Sequence, residues 1–120
     1  MKSYQLVAAN APLELVETET PEPQGTEVLV RVTACGVCHS DLHFWHGFYD
    51  LGDGTKMTLE DRNIALPFTM GHEPVGEVVA YGPDVETDVK IGETRLVFPW
   101  TGCGDCARCD EGNEQDCADV

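Results

Sequence analysis

The chain has 120 residues, 42% of them apolar, with 12 Gly and 7 Pro, and 22 acidic side chains face only 7 Lys and Arg for a formal net charge of -15. That length suits one hydrophobic core and not two, the composition excludes a disordered tail or a coiled coil, and the negative field repels nucleic acid and anionic membrane. No run approaches the roughly 18 apolar residues of a membrane span, and Met1-Lys2-Ser3-Tyr4 opens no apolar signal stretch, so a cytoplasmic address is expected.

Short extended stretches at 4–9 and 12–18, on either side of Asn10-Ala11-Pro12, read as a hairpin, and Pro21-Glu22-Pro23-Gln24-Gly25 reads as a polar turn. Glu27 to Ala34 alternates and is rich in Val, which predicts a strand with one buried face; Cys35, at its end, is expected in the core. Cys38 to His46 lacks alternation and suits a short helix or turn. Residues 50–66 carry Gly52, Gly54 and several Asp with little periodicity, and read as a surface loop. Pro74 to Tyr81 is a second strand, closed by Gly82-Pro83-Asp84, and Arg95 to Phe98 is a third. No glycine-rich phosphate loop opens a βαβ unit, so the expected fold is mainly β, in one domain over 1–120.

Six cysteines in an unexported chain, clustered as these are, point to metal and not to disulfides. Cys103, Cys106, Cys109 and Cys117 follow C-x2-C-x2-C-x7-C, which lets a tight loop wrap four thiolates around one ion. Four soft sulfurs suit zinc and leave no open position, so the site is structural. An iron–sulfur cluster is the rival occupant. Gly102, Gly104 and Gly112 are expected to supply positive backbone angles. The acidic residues of the segment, from Asp105 to Asp116, oppose only Arg108, so zinc must hold through coordination energy.

A second constellation comes from two separate segments, Cys38-His39-Ser40-Asp41-Leu42-His43 and Gly71-His72-Glu73. A catalytic zinc keeps about three protein ligands and one open position; Cys38 and His72 are the first two candidates. A single buried Cys is usually a small hydrophobe and a single His is usually only hydrogen-bonded, but here they share a chain with a four-cysteine lobe.

In this order, Gly36 to His43, Gly71 to Val79 and the four cysteines resemble the zinc-dependent medium-chain alcohol dehydrogenases over the whole chain. The resemblance implies a GroES-like, partly open β-barrel with a cysteine-rich structural-zinc lobe at about 99–120. It implies Cys38, His72 and Glu73 at the catalytic zinc and Cys103, Cys106, Cys109 and Cys117 at the structural zinc. Asp41 would orient His72, Ser40 and His43 would relay a proton, and His39 would meet the cofactor pyrophosphate. Trp45 and Trp100 would line the substrate pocket. The implied activity is hydride transfer between a small alcohol and NAD or NADP, giving an aldehyde or ketone, and full-length relatives are expected to be homo-oligomers.

Three departures accompany the resemblance. The family's third catalytic-zinc ligand and its nucleotide-binding (Rossmann) domain come later in the chain than Val120, Gln115-Asp116 stands before Cys117 where relatives commonly have an apolar residue, and the surface is heavily acidic. These suggest a truncated or minimised domain, inactive alone; a salt-adapted relative is the rival. A stand-alone zinc-binding or scaffold domain and a weak hydrolytic Lewis acid are the alternative functions.

Overall fold

A computed structural model describes residues 1–117 of the chain. Strand β1 (Lys2–Leu6) and β2 (Glu14–Glu17) pair antiparallel from Lys2↔Glu17 to Gln5↔Glu14, the expected hairpin with shorter strands. Asn10, at φ 58°, turns its wide loop, and its N–H donates to Trp45 O at 2.7 Å. Next come β3 (Val28–Gly36), helix α1 (His39–His46), β4 (Phe48–Gly52) and β5 (Thr55–Thr58). A single 3-10 turn, Glu60–Arg62, leads to β6 (Phe68–Thr69), β7 (Glu73–Tyr81) and β8 (Thr94–Leu96). The cysteine-rich end carries α2 (Ala107–Asp110) and a second 3-10 turn, Glu114–Asp116. Residues 118–120, the last of the expected lobe, lie outside the described residues.

The strands form three open antiparallel sheets, β2-β1-β6, β3-β7-β8 and β4-β5, so the mainly β, partly open architecture is met. The longest pairing is β3 with β7. It runs from Val28↔Tyr81 to Gly36↔Glu73, with irregularities after Leu29 and Val32. The backbones close in at Gly76, where a Cβ would lie 2.4 Å from Arg31 O, so only glycine fits.

Three expectations need correction. Residues 50–66 are no simple loop, because β4 and β5 form a hairpin around Asp53-Gly54, at φ 52° and 77°. Two positive φ values in succession match the right-handed twist of the strands they join, and Asp-Gly is the pair that favours them. Nor does β3 bury one face: Val28 and Val32 are 45% and 55% exposed. Alternation marks a face able to be buried, and here that face is covered only in part, with Val30 half-buried. Cys35, near the end of β3, is likewise exposed and not in the core.

The fully enclosed apolar interior is small, centred on Leu6, Leu59 and Val78. The chain exposes 8643 Å², whereas a compact monomer of its size exposes about 6,400 Å². Large apolar side chains are among the exposed surface, including Leu96 at 79% exposure on β8. No helix among the described residues is long and apolar enough to cross a membrane.

Candidate metal and substrate site

Cys38 caps α1. Its backbone is extended (φ -119°, ψ -179°), its Sγ accepts from Ser40 N at 3.3 Å, and Asp41 Oδ2 accepts from Cys38 N at 2.9 Å. This is a capping box with a thiol in place of the usual hydroxyl, and it fixes both Cys38 and Asp41 at the first turn. At the other end, Gly47 takes φ 83° and its N–H closes on His43 O and Phe44 O.

The β3–β7 register brings in the second segment. Gly36 stands opposite Glu73, so Cys38, just beyond β3, meets His72, just before β7. Cys38 Sγ lies 3.2 Å from His72 Nε2, and with a Glu73 carboxylate oxygen the donor atoms all fall within 4.8 Å of one another. A tetrahedral zinc with ordinary bond lengths would separate a sulfur and a nitrogen ligand by about 3.6 Å, so the donors fit such an ion after a shift of a few tenths of an ångström. Gly36 makes the third donor possible: a Cβ there would sit 2.1 Å from Glu73 Oε2, in the space the carboxylate occupies.

Two of the donors, His72 and Glu73, line a cleft of about 660 Å³, with Cys38 beside them. Ser40, His72, Glu73 and Arg62 supply its polar groups, while Phe44, Tyr49, Pro99 and Trp100 supply apolar surface. Such a mixture suits a small organic molecule. His43 stacks between Tyr49, at 4.6 Å, and the exposed His39, at 4.7 Å, giving a column of rings along α1. The two tryptophans part company. Trp100 lines the cleft, but Trp45 donates its indole N–H to Ala11 O at 2.8 Å and ties α1 to the β1–β2 loop, so it is not among the cleft-lining residues. The hydrogen bond of Asp41 goes to the Cys38 backbone; its Oδ1 is buried and unpartnered, and no bond to His72 is made in this structure.

Sequence reasoning missed Phe44, Tyr49 and Arg62. The first two fall on α1 and β4, on either side of Gly47, and pack edge to face at 5.8 Å. The signal for Arg62 was Thr58-x-x-Asp61: Asp61 Oδ2 accepts from Thr58 N and Oγ1, both at 2.8 Å, and this pair starts the turn that carries Arg62. It also holds the Asp61 carboxyl below its ordinary 3.8, through the Thr58 N–H first and its hydroxyl second.

The four remaining cysteines converge independently. Their sulfurs lie 3.6 Å (Cys106–Cys109), 3.9 Å (Cys106–Cys117) and 4.0 Å (Cys103–Cys109) apart. Thiolates arranged tetrahedrally about 2.3 Å from one zinc are about 3.8 Å apart, so the set fits one ion. A multi-iron cluster would hold its thiolates at more widely spaced corners. Gly104 and Gly112 take φ 82° and 75°, as expected. Gly102 does not serve in that way; it is needed because a Cβ would lie 2.4 Å from Cys109 Sγ. The thiols are uneven. Hydrogen bonds from Cys109, backbone first and thiol second, bring Cys106 down to about 7, whereas the Asp105 carboxylate pushes Cys103 up to about 12.

Comparison with known proteins gives a consistent result. The sequence profile of the alcohol dehydrogenase GroES-like domain matches residues 24–120. An NAD-dependent alcohol dehydrogenase of Saccharolobus solfataricus is 39% identical over 117 residues, covering 98% of this chain and 32% of the relative. The sorbitol dehydrogenase of Bacillus subtilis is 36% identical over 100 residues, covering 83% of this chain and 26% of the relative. Among solved structures, the alcohol dehydrogenase of Aeropyrum pernix superposes with a TM-score of 0.81 at 31% identity, over 98% of this chain and 32% of that one. The chain thus spans about a third of the length of the relatives it matches.

Proposed function

Because the chain belongs to the alcohol dehydrogenase GroES-like domain family, we propose that it supplies the zinc-binding, substrate-holding part of an enzyme that moves hydride between a primary or secondary alcohol and NAD or NADP. The observation that carries this reading is the 3.2 Å approach of Cys38 Sγ to His72 Nε2, with Glu73 beside them, at the edge of an amphipathic cleft. Cys38, His72 and Glu73 hold the catalytic zinc, which when bound lowers the pKa of an alcohol toward neutrality and polarises a carbonyl. The remaining ligand and the dinucleotide site come from outside these 120 residues.

The chain's own groups do the rest. Ser40 Oγ, facing the cleft, takes up the alcohol proton; His43, three residues on along the same helix face, receives it and passes it toward solvent past His39. His39, exposed on the first turn of α1, also meets the cofactor pyrophosphate. Asp41 has one buried oxygen without a partner, and it accepts from the His72 ring once that ring is on the metal. Trp100, Phe44 and Tyr49 pack the substrate body. Cys103, Cys106, Cys109 and Cys117 hold a second, closed zinc that only stabilises the fold. The protein works in the cytoplasm.

The test uses the 120-residue polypeptide, stripped of metal and titrated with zinc, followed by reduced-nicotinamide absorbance with excess primary and secondary alcohols. One tight zinc, one weaker zinc that Cys38→Ser abolishes, and no turnover above that variant are expected. A second zinc unaffected by Cys38→Ser, or clear turnover by these residues alone, would overturn the reading.

A further inference from the structure

Four arginines must find partners in a chain with 22 carboxylates. Three do: Arg31 pairs with Glu77, Arg95 with Glu93, and Arg108 with Glu111. Arg62 makes no ion pair among the described residues and faces the cleft instead. Its guanidinium carbon lies over the Tyr49 ring, 4.9 Å from the centroid, and over that of Phe44 at 6.0 Å, and both rings line the same cleft. The adjacent acid is already engaged, since Asp61 accepts from Thr58 N and Oγ1. Glu73, the cleft's own carboxylate, is beside Cys38 and His72 and not within ion-pair distance of Arg62.

We propose that Arg62 is the anion-recognition group of this cleft, and that the alcohol it admits carries a carboxylate remote from the reacting hydroxyl, on a flat apolar body that packs against Phe44, Tyr49 and Trp100. The inference rests on the cleft being an alcohol site. Stacking on aromatic rings leaves the forked N–H edge of a guanidinium free, and that edge matches a carboxylate with two parallel bonds. A local cation is also what such a substrate requires here, because the overall charge of -15 repels it. In the reverse direction the same group would hold an aldehyde or ketone acid.

The test titrates the zinc-loaded protein with 4-(hydroxymethyl)benzoate, its neutral amide 4-(hydroxymethyl)benzamide, and benzyl alcohol, following the NMR signal of the Trp100 indole N–H. The carboxylate is expected to bind about fivefold more tightly than the amide at low salt, the upper end of what an exposed ion pair supplies. Arg62→Gln should bring that ratio to about one. Arg62→Lys should fall between, and Lys90→Gln, away from the cleft, should leave the ratio intact. Equal binding of carboxylate and amide, or a preference that survives Arg62→Gln, overturns the anion site alone. Failure of all three compounds to move Trp100 overturns the cleft as an alcohol site and this inference with it.

Discussion

Gly102 offers a sharp test of the four-cysteine site. An added methyl would sit 2.4 Å from Cys109 Sγ, with Glu114 Cβ at 3.3 Å and Cys117 Cβ at 3.4 Å closing the other directions. Ordinary van der Waals contact requires about 3.5 Å or more, so in Gly102→Ala the sulfur must retreat by about 1 Å. Zinc–ligand distances tolerate shifts of only about 0.2 Å, so Cys109 can no longer bond fully. Disturbing groups that merely support a ligand lowers affinity by about 10- to 100-fold; moving a ligand itself should cost at least about 100-fold, or about 2.7 kcal/mol. Gly112→Ala is the control. It has φ 75° and open space around its Cα, so only left-handed backbone strain of about 1 to 2 kcal/mol applies, away from the sulfurs. Competition with a chromogenic zinc chelator reads the affinity, and the thiolate-to-cobalt absorption of the cobalt-loaded protein reads how many sulfurs remain bound. Zinc affinity in Gly102→Ala within about threefold of Gly112→Ala, with unchanged cobalt spectra, would refute the claim that this glycine makes room for the ligand.

Two further outcomes follow from the same geometry. In thermal melts with saturating zinc, Cys106→Ser should lower the melting temperature far more than Cys38→Ser, because Cys106 belongs to a closed site coupled to folding, whereas serine at position 38 remains a good helix cap; equal losses would mean that the two sites have been assigned the wrong way round. Asp61 should titrate below 3.8 by carbon-detected NMR, and Thr58→Val, which keeps the N–H but removes the hydroxyl, should move it upward. A depressed folded-state pKa means that this carboxylate stabilises the turn above its ordinary range and loses that contribution as pH falls through the folded-state value; a wild-type midpoint at or above 3.8 would remove the basis for this.

The parts of the site that could be read in the sequence are those whose chemistry is local. Four cysteines spaced C-x2-C-x2-C-x7-C announce a metal lobe before any fold is known, since the ligands and the loop that wraps them lie in one segment, from Cys103 to Cys117. The Cys38 and His72 segments were legible by residue type, but their meeting depends on the β3–β7 register, which the sequence states only as two alternating runs. The β4–β5 hairpin was hidden because Asp53-Gly54 stood among other glycines and aspartates, and the turn pair was the one informative feature of that stretch. Trp45 and Trp100 could not be told apart, because what separates them is a hydrogen bond to Ala11, 34 residues away. Burial of β3 was overestimated for a physical reason: periodicity reports which face is apolar, not whether anything lies on it.

The two cysteine-bearing sites therefore depend on the fold in opposite ways. The four-thiolate lobe owes its geometry to turns at Gly104 and Gly112 and to the short helix that Cys106 begins, so a zinc there would organise a segment with little core of its own. Adding an ion with four thiolates leaves two net negative charges among the acidic residues from Asp105 to Asp116, so coordination has to overcome the local repulsion. Cys38 and His72 reverse the order of cause. Their segments are joined by the pairing of β3 with β7 through eight residue pairs, and a one-residue slip of that register would turn Glu73 away from Gly36 and out of reach of the other two donors. The capping box at Cys38 fixes its side of the site, and the two strand irregularities and the close approach at Gly76 restrict the alternatives on the other side. On the proposed assignment, metal at the cleft would be a consequence of the fold and metal at the lobe a condition of it, which is why Cys38 can stand beside an open position while the four-thiolate set closes its own.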